Sequence, residues 1–155
     1  MKWLNEQEMK QKSLLMFFIT MVIMSVSTVG CIGQVTEAQV QKTPTQIVED
    51  ITPQEASVLI DEKRGNPDFV IIDVRTSSEF TNGHIDNAIN IDFYSESFES
   101  EISKLGKGKP YLIYCRSGNR SRGALDTMVK LSFKEVYHLS AGIIGWLEEG
   151  LPTTE

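Results

Sequence analysis

Apolar and polar positions divide the chain into three stretches. Residues 14–29 form one uncharged, mostly apolar run, and residues 33–46 are polar, rich in Gln and Thr, and without apolar period. The second stretch reads as a linker. From Ile47 onward, strand-like and helix-like signals alternate. Residues 69–73 are a β-branched run of the kind expected of a strand buried on both faces. Residues 88–91, 111–114 and 136–139 read as three more strands. Between them, Thr52-Pro53-Gln54-Glu55 has the form of a capping box with Pro at the first helical position, and Ala56, Leu59 and Ile60 give that helix one apolar side. Ser77 or Ser78 is placed to cap a short helix through Phe80 that stops at Asn82-Gly83. Phe93, Phe98, Ile102 and Leu105 mark another helix, and residues 123–131 and 143–149 two more. Strands separated by helices predict an α/β fold: a mostly parallel sheet with helices on both faces.

The chain has 155 residues, room for one domain and an appendage. A hydrophobic share of 41% and a charged share of 23% are those of a globular protein. The net charge of -6 argues against nucleic acid or an anionic lipid surface as the main partner. The boundaries expected are 1–30 for a signal peptide or membrane anchor, 31–48 for the linker and 49–155 for the domain. The apolar run, preceded by Lys10 and Lys12, has signal-peptide length and is short of the ~20 residues of a stable membrane span. Its end, Val29-Gly30-Cys31, resembles the lipobox of prokaryotic lipoproteins, with Thr28 where that family usually has Leu. The resemblance implies lipidation at Cys31; the other readings are an uncleaved anchor helix and plain secretion. The first two place the domain outside the cytoplasmic membrane, tethered to its outer face.

The chemistry concentrates after the third of the strands read above. In sheets of this type ligands sit off the carboxyl ends of strands, where Cys115 falls. The loop Cys115-Arg116-Ser117-Gly118-Asn119-Arg120-Ser121 carries a Gly, two arginines and a Ser able to cap the next helix. Such a loop turns backbone N–H groups inward at a helix N-terminus, which favours thiolate over thiol relative to the free value of ~8.5. A thiolate in an oxyanion cradle is equipped to attack sulfur or phosphorus. The bland alternative is an inert core thiol. Two Cys and two His without ligand spacing point to no metal, and no nucleotide motif implies a cofactor. His138, inside an apolar strand, reads as structural.

Asp73-Val-Arg75, Glu79-Phe80, Gly83-His84-Ile85 and residues 88–91, then the Cys115 loop, then Ala141-Gly142, Gly145-Trp146 and Gly150-Leu-Pro152, resemble in order and spacing the signatures of the rhodanese family. The resemblance covers roughly residues 50–153. It implies a five-stranded parallel sheet and sulfur transfer through a cysteine persulfide, without cofactor, by a protein working as a monomer. It implies Cys115 as nucleophile and the main chain of Arg116, Ser117, Gly118, Asn119, Arg120 and Ser121 as the persulfide cradle. Arg116 and Arg120 would help bind a small anionic donor such as thiosulfate, with cyanide or a thiol as acceptor. Asp73 and Arg75 would support the loop from the neighbouring strand end, and Glu79 and His84 would fix the structure around it. Two other readings use the same Cys. A phosphatase or arsenate reductase generally places Arg six positions after the Cys, where this chain has Ser121, and a tethered carrier would hold sulfane sulfur without turning it over.

Overall fold

The computed structural model describes residues 46–155. The apolar run, Cys31 and most of the expected linker lie outside the described residues. Among the described residues, no helix is long and apolar enough to cross a membrane.

Five strands, β1 (Ile47–Ile51), β2 (Val70–Asp73), β3 (Ala88–Asn90), β4 (Pro110–Tyr114) and β5 (Glu135–Leu139), form one parallel sheet in the order β1-β5-β4-β2-β3. The helices are α1 (Pro53–Glu62), α2 (Ser77–Thr81), α3 (Phe98–Ser103), α4 (Asn119–Lys130) and α5 (Gly142–Glu148). The first strand begins at Ile47, two residues before the domain boundary read from the sequence. It is the strand that the family resemblance implied without placing.

Strand side chains alternate between two cores. Ile72, Ile113, Cys115 and Val136 pack with Phe98, Ile102, Ala124, Leu125 and Met128 on the α3/α4 side. Ile71, Leu112, Tyr114 and Leu139 pack with Ala56, Ile143 and Trp146 on the α1/α5 side. Each fully buried Leu or Ile contributes roughly 1.5–3 kcal/mol relative to exposure, so the two-sided burial holds β4 and its carboxyl end rigid.

The caps follow local chemistry. Thr52 accepts from the Glu55 amide at 3.3 Å while the Glu55 carboxylate accepts from the Thr52 amide at 2.8 Å, the expected box. On α2 the cap is Thr76 rather than Ser77 or Ser78, because Thr76 repeats the same three-residue spacing to Glu79. Helix α4 begins at Asn119, four residues earlier than its apolar pattern shows, and its cap is Gly118 rather than a Ser.

Candidate active site

Cys115 is the first residue beyond β4, at the carboxyl edge of the sheet. The turn that follows depends on two glycines. Gly118 has φ +90°, strained for any L side chain, and a Cβ there would lie 2.0 Å from the Ser140 carbonyl oxygen. Gly142 has φ +61°, and a Cβ there would lie 2.5 Å from the Arg116 carbonyl oxygen. This close approach lets the first amides of α5 reach the loop: Ile143 N–H donates to the Cys115 carbonyl at 2.9 Å and Ile144 N–H to the Arg116 carbonyl at 3.1 Å. With these carbonyls held toward α5, the amides of Ser117, Gly118 and Ser121 are close enough to Cys115 to favour a negative charge on its sulfur. The Ser121 hydroxyl adds a contact at 3.4 Å.

The electrostatic balance at the sulfur is a contest. Burial pushes the Cys115 thiol up, but the Ser121 hydroxyl and the amides of Ser121, Ser117 and Gly118 outweigh it and hold the thiol below its ordinary range. Cys115 is 1% exposed, so the sulfur forms the floor of its loop. Arg116, Ser117 and Asn119 above it are exposed.

Arg120 is placed differently from the expectation of a free anion-binding cation. Its guanidinium forms a two-pronged pair with Glu79, Nη1 to Oε2 at 2.7 Å and Nη2 to Oε1 at 2.8 Å, and lies 5.6 Å from the centre of the Tyr94 ring. The Arg120 hydrogen bonds, opposed by partial burial, hold the Glu79 carboxyl down at about 2. Glu79 is itself tied into the α2 cap through the amide and hydroxyl of Thr76. Arg120 therefore fastens the first turn of α4 to α2 through two of its donors. Arg116 has no ion pair among the described residues, and it lines a cavity of about 300 Å³ with Glu79, Gly83, Ile144 and Leu147.

Asp73 and Arg75 pair with each other rather than touching the Cys115 loop by their side chains. Arg75 donates to both Asp73 oxygens, with Nη2 to Oδ2 at 2.6 Å, and from the same Nη2 to the Gly83 carbonyl at 2.7 Å. Both are buried. Their link to the loop is through the main chain next to them: Val74 N–H donates to the Tyr114 carbonyl at 2.9 Å. His84 stacks on Phe80 at 3.8 Å, with Nδ1 at 3.1 Å from the Phe80 carbonyl oxygen, and its main chain bridges Thr154. Its ring is engaged in the α2 region. Cys31 lies outside the described residues.

Two residues that the sequence reading did not put at the site reach it from β1 and β5. His138 Nε2 lies 2.9 Å from Ser121 Oγ, and Nδ1 lies 2.9 Å from Asp50 Oδ1. The signal for this was the pairing of the two strands, which sets Asp50 opposite His138. Among the described residues, no buried side-chain polar atom lacks a partner, the pair Ser121 and His138 included.

The arrangement is a thiol lowered from its ordinary range at a helix N-terminus, suited to carry a negative charge on sulfur. Comparison with known proteins bears on the family. The family described as Rhodanese-like domain matches residues 52–149. A tRNA uridine(34) hydroxylase of Buchnera aphidicola is 32% identical over 119 residues, covering 70% of this chain and 35% of the relative. The chain thus spans about a third of the length of the hydroxylases it matches. A sulfurtransferase of Allochromatium vinosum is 33% identical over 85 residues, covering 55% of this chain and 78% of the relative. The crystal structure of a rhodanese-related protein from Thermoplasma volcanium superposes with a TM-score of 0.59 at 27% identity, covering 68% of this chain and 97% of that one. With the parallel sheet, the loop after β4 and the matched span in accord, the chain belongs to the rhodanese-like domain family.

Proposed function

We propose that this protein is a sulfurtransferase that moves sulfane sulfur from thiosulfate, or a persulfide donor, to a thiophilic acceptor. The observation that carries the reading is a thiol just beyond β4, under a loop turned by Gly118 and Gly142 and in contact with the Ser121 hydroxyl at 3.4 Å, which is held below its ordinary range by that hydroxyl and nearby amides. Cys115 thiolate attacks the outer sulfur of thiosulfate, the donor S–S bond breaks, and sulfite leaves with the bonding pair. The persulfide so formed keeps one negative charge on its outer sulfur, which the loop's main chain and the N-terminus of α4 would stabilise. A thiolate or cyanide then attacks the outer sulfur, and the Cys115 thiolate is released. Two half-reactions through a covalent intermediate give ping-pong kinetics. Arg116, exposed beside the loop, supplies the positive charge for an anionic donor. Cys115 as a residue is only 1% exposed, so entry of the donor requires its loop to open.

That burial also supports a second reading, a carrier that holds sulfur and passes it to a partner protein. Export and tethering through Cys31 or an uncleaved anchor remain part of the proposal and rest on residues 14–31 alone. Intact-mass analysis after thiosulfate treatment is the test: the protein gains the mass of one sulfur, and Cys115→Ser gains none and transfers none to cyanide. Full thiosulfate:cyanide activity in Cys115→Ser would falsify the mechanism, whereas stoichiometric loading without turnover would assign the carrier role.

A further inference from the structure

The mechanism above makes no use of two titratable groups that reach the sulfur through Ser121. Asp50 on β1, His138 on β5, Ser121 in the first turn of α4 and Cys115 after β4 form one continuous chain of contacts. The steps are 2.9 Å from Asp50 Oδ1 to His138 Nδ1, 2.9 Å from His138 Nε2 to Ser121 Oγ, and 3.4 Å from Ser121 Oγ to Cys115 Sγ. His138 is 1% exposed and Ser121 is fully buried, so water does not substitute for these partners. The strand pairing fixes the first step, since Asp50 and His138 sit opposite each other across β1 and β5.

Counting hydrogens along this chain decides what it does. Ser121 has one hydroxyl hydrogen and three neighbours that could take it: Sγ, the Gly118 carbonyl at 3.1 Å, and His138 Nε2. If that hydrogen goes to a thiolate, Oγ is left as an acceptor and Nε2 must carry a hydrogen. Nε2 also lies 3.2 Å from the Gly118 carbonyl oxygen, a second acceptor. On the opposite side Nδ1 faces the Asp50 carboxylate. Both ring nitrogens therefore face acceptors when the sulfur is charged, and the ring that satisfies all of them is the imidazolium. In the other state the Cys115 thiol hydrogen points to Oγ, the Ser121 hydrogen points to Nε2, and the neutral ring keeps its hydrogen on Nδ1. The nitrogen lone pair then faces the Gly118 oxygen unfavourably.

We propose that His138, held by Asp50, is a positioning residue that sets the charge of Cys115 through Ser121. The proton leaving Sγ passes to Ser121 Oγ as the Ser121 proton passes to His138 Nε2. One thiol and one imidazole become one thiolate and one imidazolium, with no proton taken from or given to solvent. The charged groups facing this chain are Asp50 from β1, Arg122 from α4, which pairs with Asp50, Arg120 from α4, which faces Cys115 and pairs with Glu79 of α2, and Cys115 itself. With imidazolium and thiolate formed, three positive charges (His138, Arg122, Arg120) and three negative charges (Cys115, Asp50, Glu79) face one another, so the buried ion pair is compensated. The proposal deepens the sulfurtransferase reading, and rests on it for its use in catalysis, but the proton linkage is measurable without any sulfur donor.

The test follows the two ends of the chain separately. The alkylation rate of Cys115 by iodoacetamide against pH gives the thiolate midpoint in the wild type and in His138→Phe. Removing the imidazolium raises that midpoint by about one pH unit, a roughly tenfold loss of thiolate at a fixed pH below it. The reciprocal measurement guards against a His138 variant that does not fold. Nuclear magnetic resonance of the His138 ring in Cys115→Ser shows its midpoint lowered, the direction that linkage between two sites requires. A thiolate midpoint unchanged in folded His138→Phe, or a His138 titration unmoved by Cys115→Ser, overturns the proposal. Both shifts present in a protein that neither loads nor transfers sulfur leave the relay standing and remove the sulfurtransferase reading.

Discussion

Replacing Arg120 with alanine separates a donor-binding cation from a fastening one. The geometry assigns the second role: the Arg120 fork is closed on Glu79 at 2.7 and 2.8 Å. The magnitude follows from the carboxylate. Its displacement from the ordinary 4.5 to about 2 corresponds to about 3 kcal/mol, and Arg120 is its largest cause. The Glu79 side chain is 30% exposed, so water screens part of this, and about 1–2 kcal/mol is the stability expected to be lost. For a domain of this size that lowers the thermal midpoint by roughly 5–10 °C at neutral pH. The pH dependence has a definite sign. The folded carboxyl is held below its unfolded value, so the contribution is fully present above the ordinary carboxylate range and is lost as pH falls toward 2. The gap in stability between wild type and Arg120→Ala therefore closes in acid. Thermal unfolding at neutral and acid pH, run beside thiosulfate kinetics, provides the assay. A variant with unchanged stability and a KM for thiosulfate raised tenfold would refute the fastening role.

Two further outcomes test the frame of the site. Asp73→Asn leaves the buried Arg75 guanidinium without its charge partner, and breaking such a pair costs about 3–5 kcal/mol, measured as a fall in the urea midpoint. Gly118→Ala meets both a positive φ and the Ser140 carbonyl 2.0 Å from the new Cβ. The loop must open to accept it, so alkylation of Cys115 moves toward the pH range of a free thiol; a wild-type alkylation profile in this variant would show that the amide ring does not depend on Gly118.

What the sequence disclosed and what it hid have a common physical origin. Strands β2, β4 and β5 are apolar runs because both faces of the sheet are covered, and those runs are visible in any window of four or five residues. Strand β1 has four of its five residues exposed, so the same burial leaves no run there to read. The loop after β4 was legible because its residue types are dictated at close range: Gly118 by its φ, Cys115 by its place at the strand end. The start of α4 was not, since Asn119, Arg120 and Arg122 face outward or toward α2 and carry no apolar period. The pairs that decide the roles of the polar residues are long-range. Arg120 meets Glu79 across 41 positions and His138 meets Asp50 across 88. A residue type and its neighbours cannot distinguish a cation waiting for a ligand from one already answered by a carboxylate. They cannot tell a buried structural imidazole from one whose two nitrogens join a carboxylate to a thiol. Only the register of β1 on β5 and the packing of α2 on α4 draw those distinctions. The environment of Cys115 is thus specified twice, locally by the turn that Gly118 and Gly142 shape beside the sulfur and globally by the sheet that brings His138 behind Ser121.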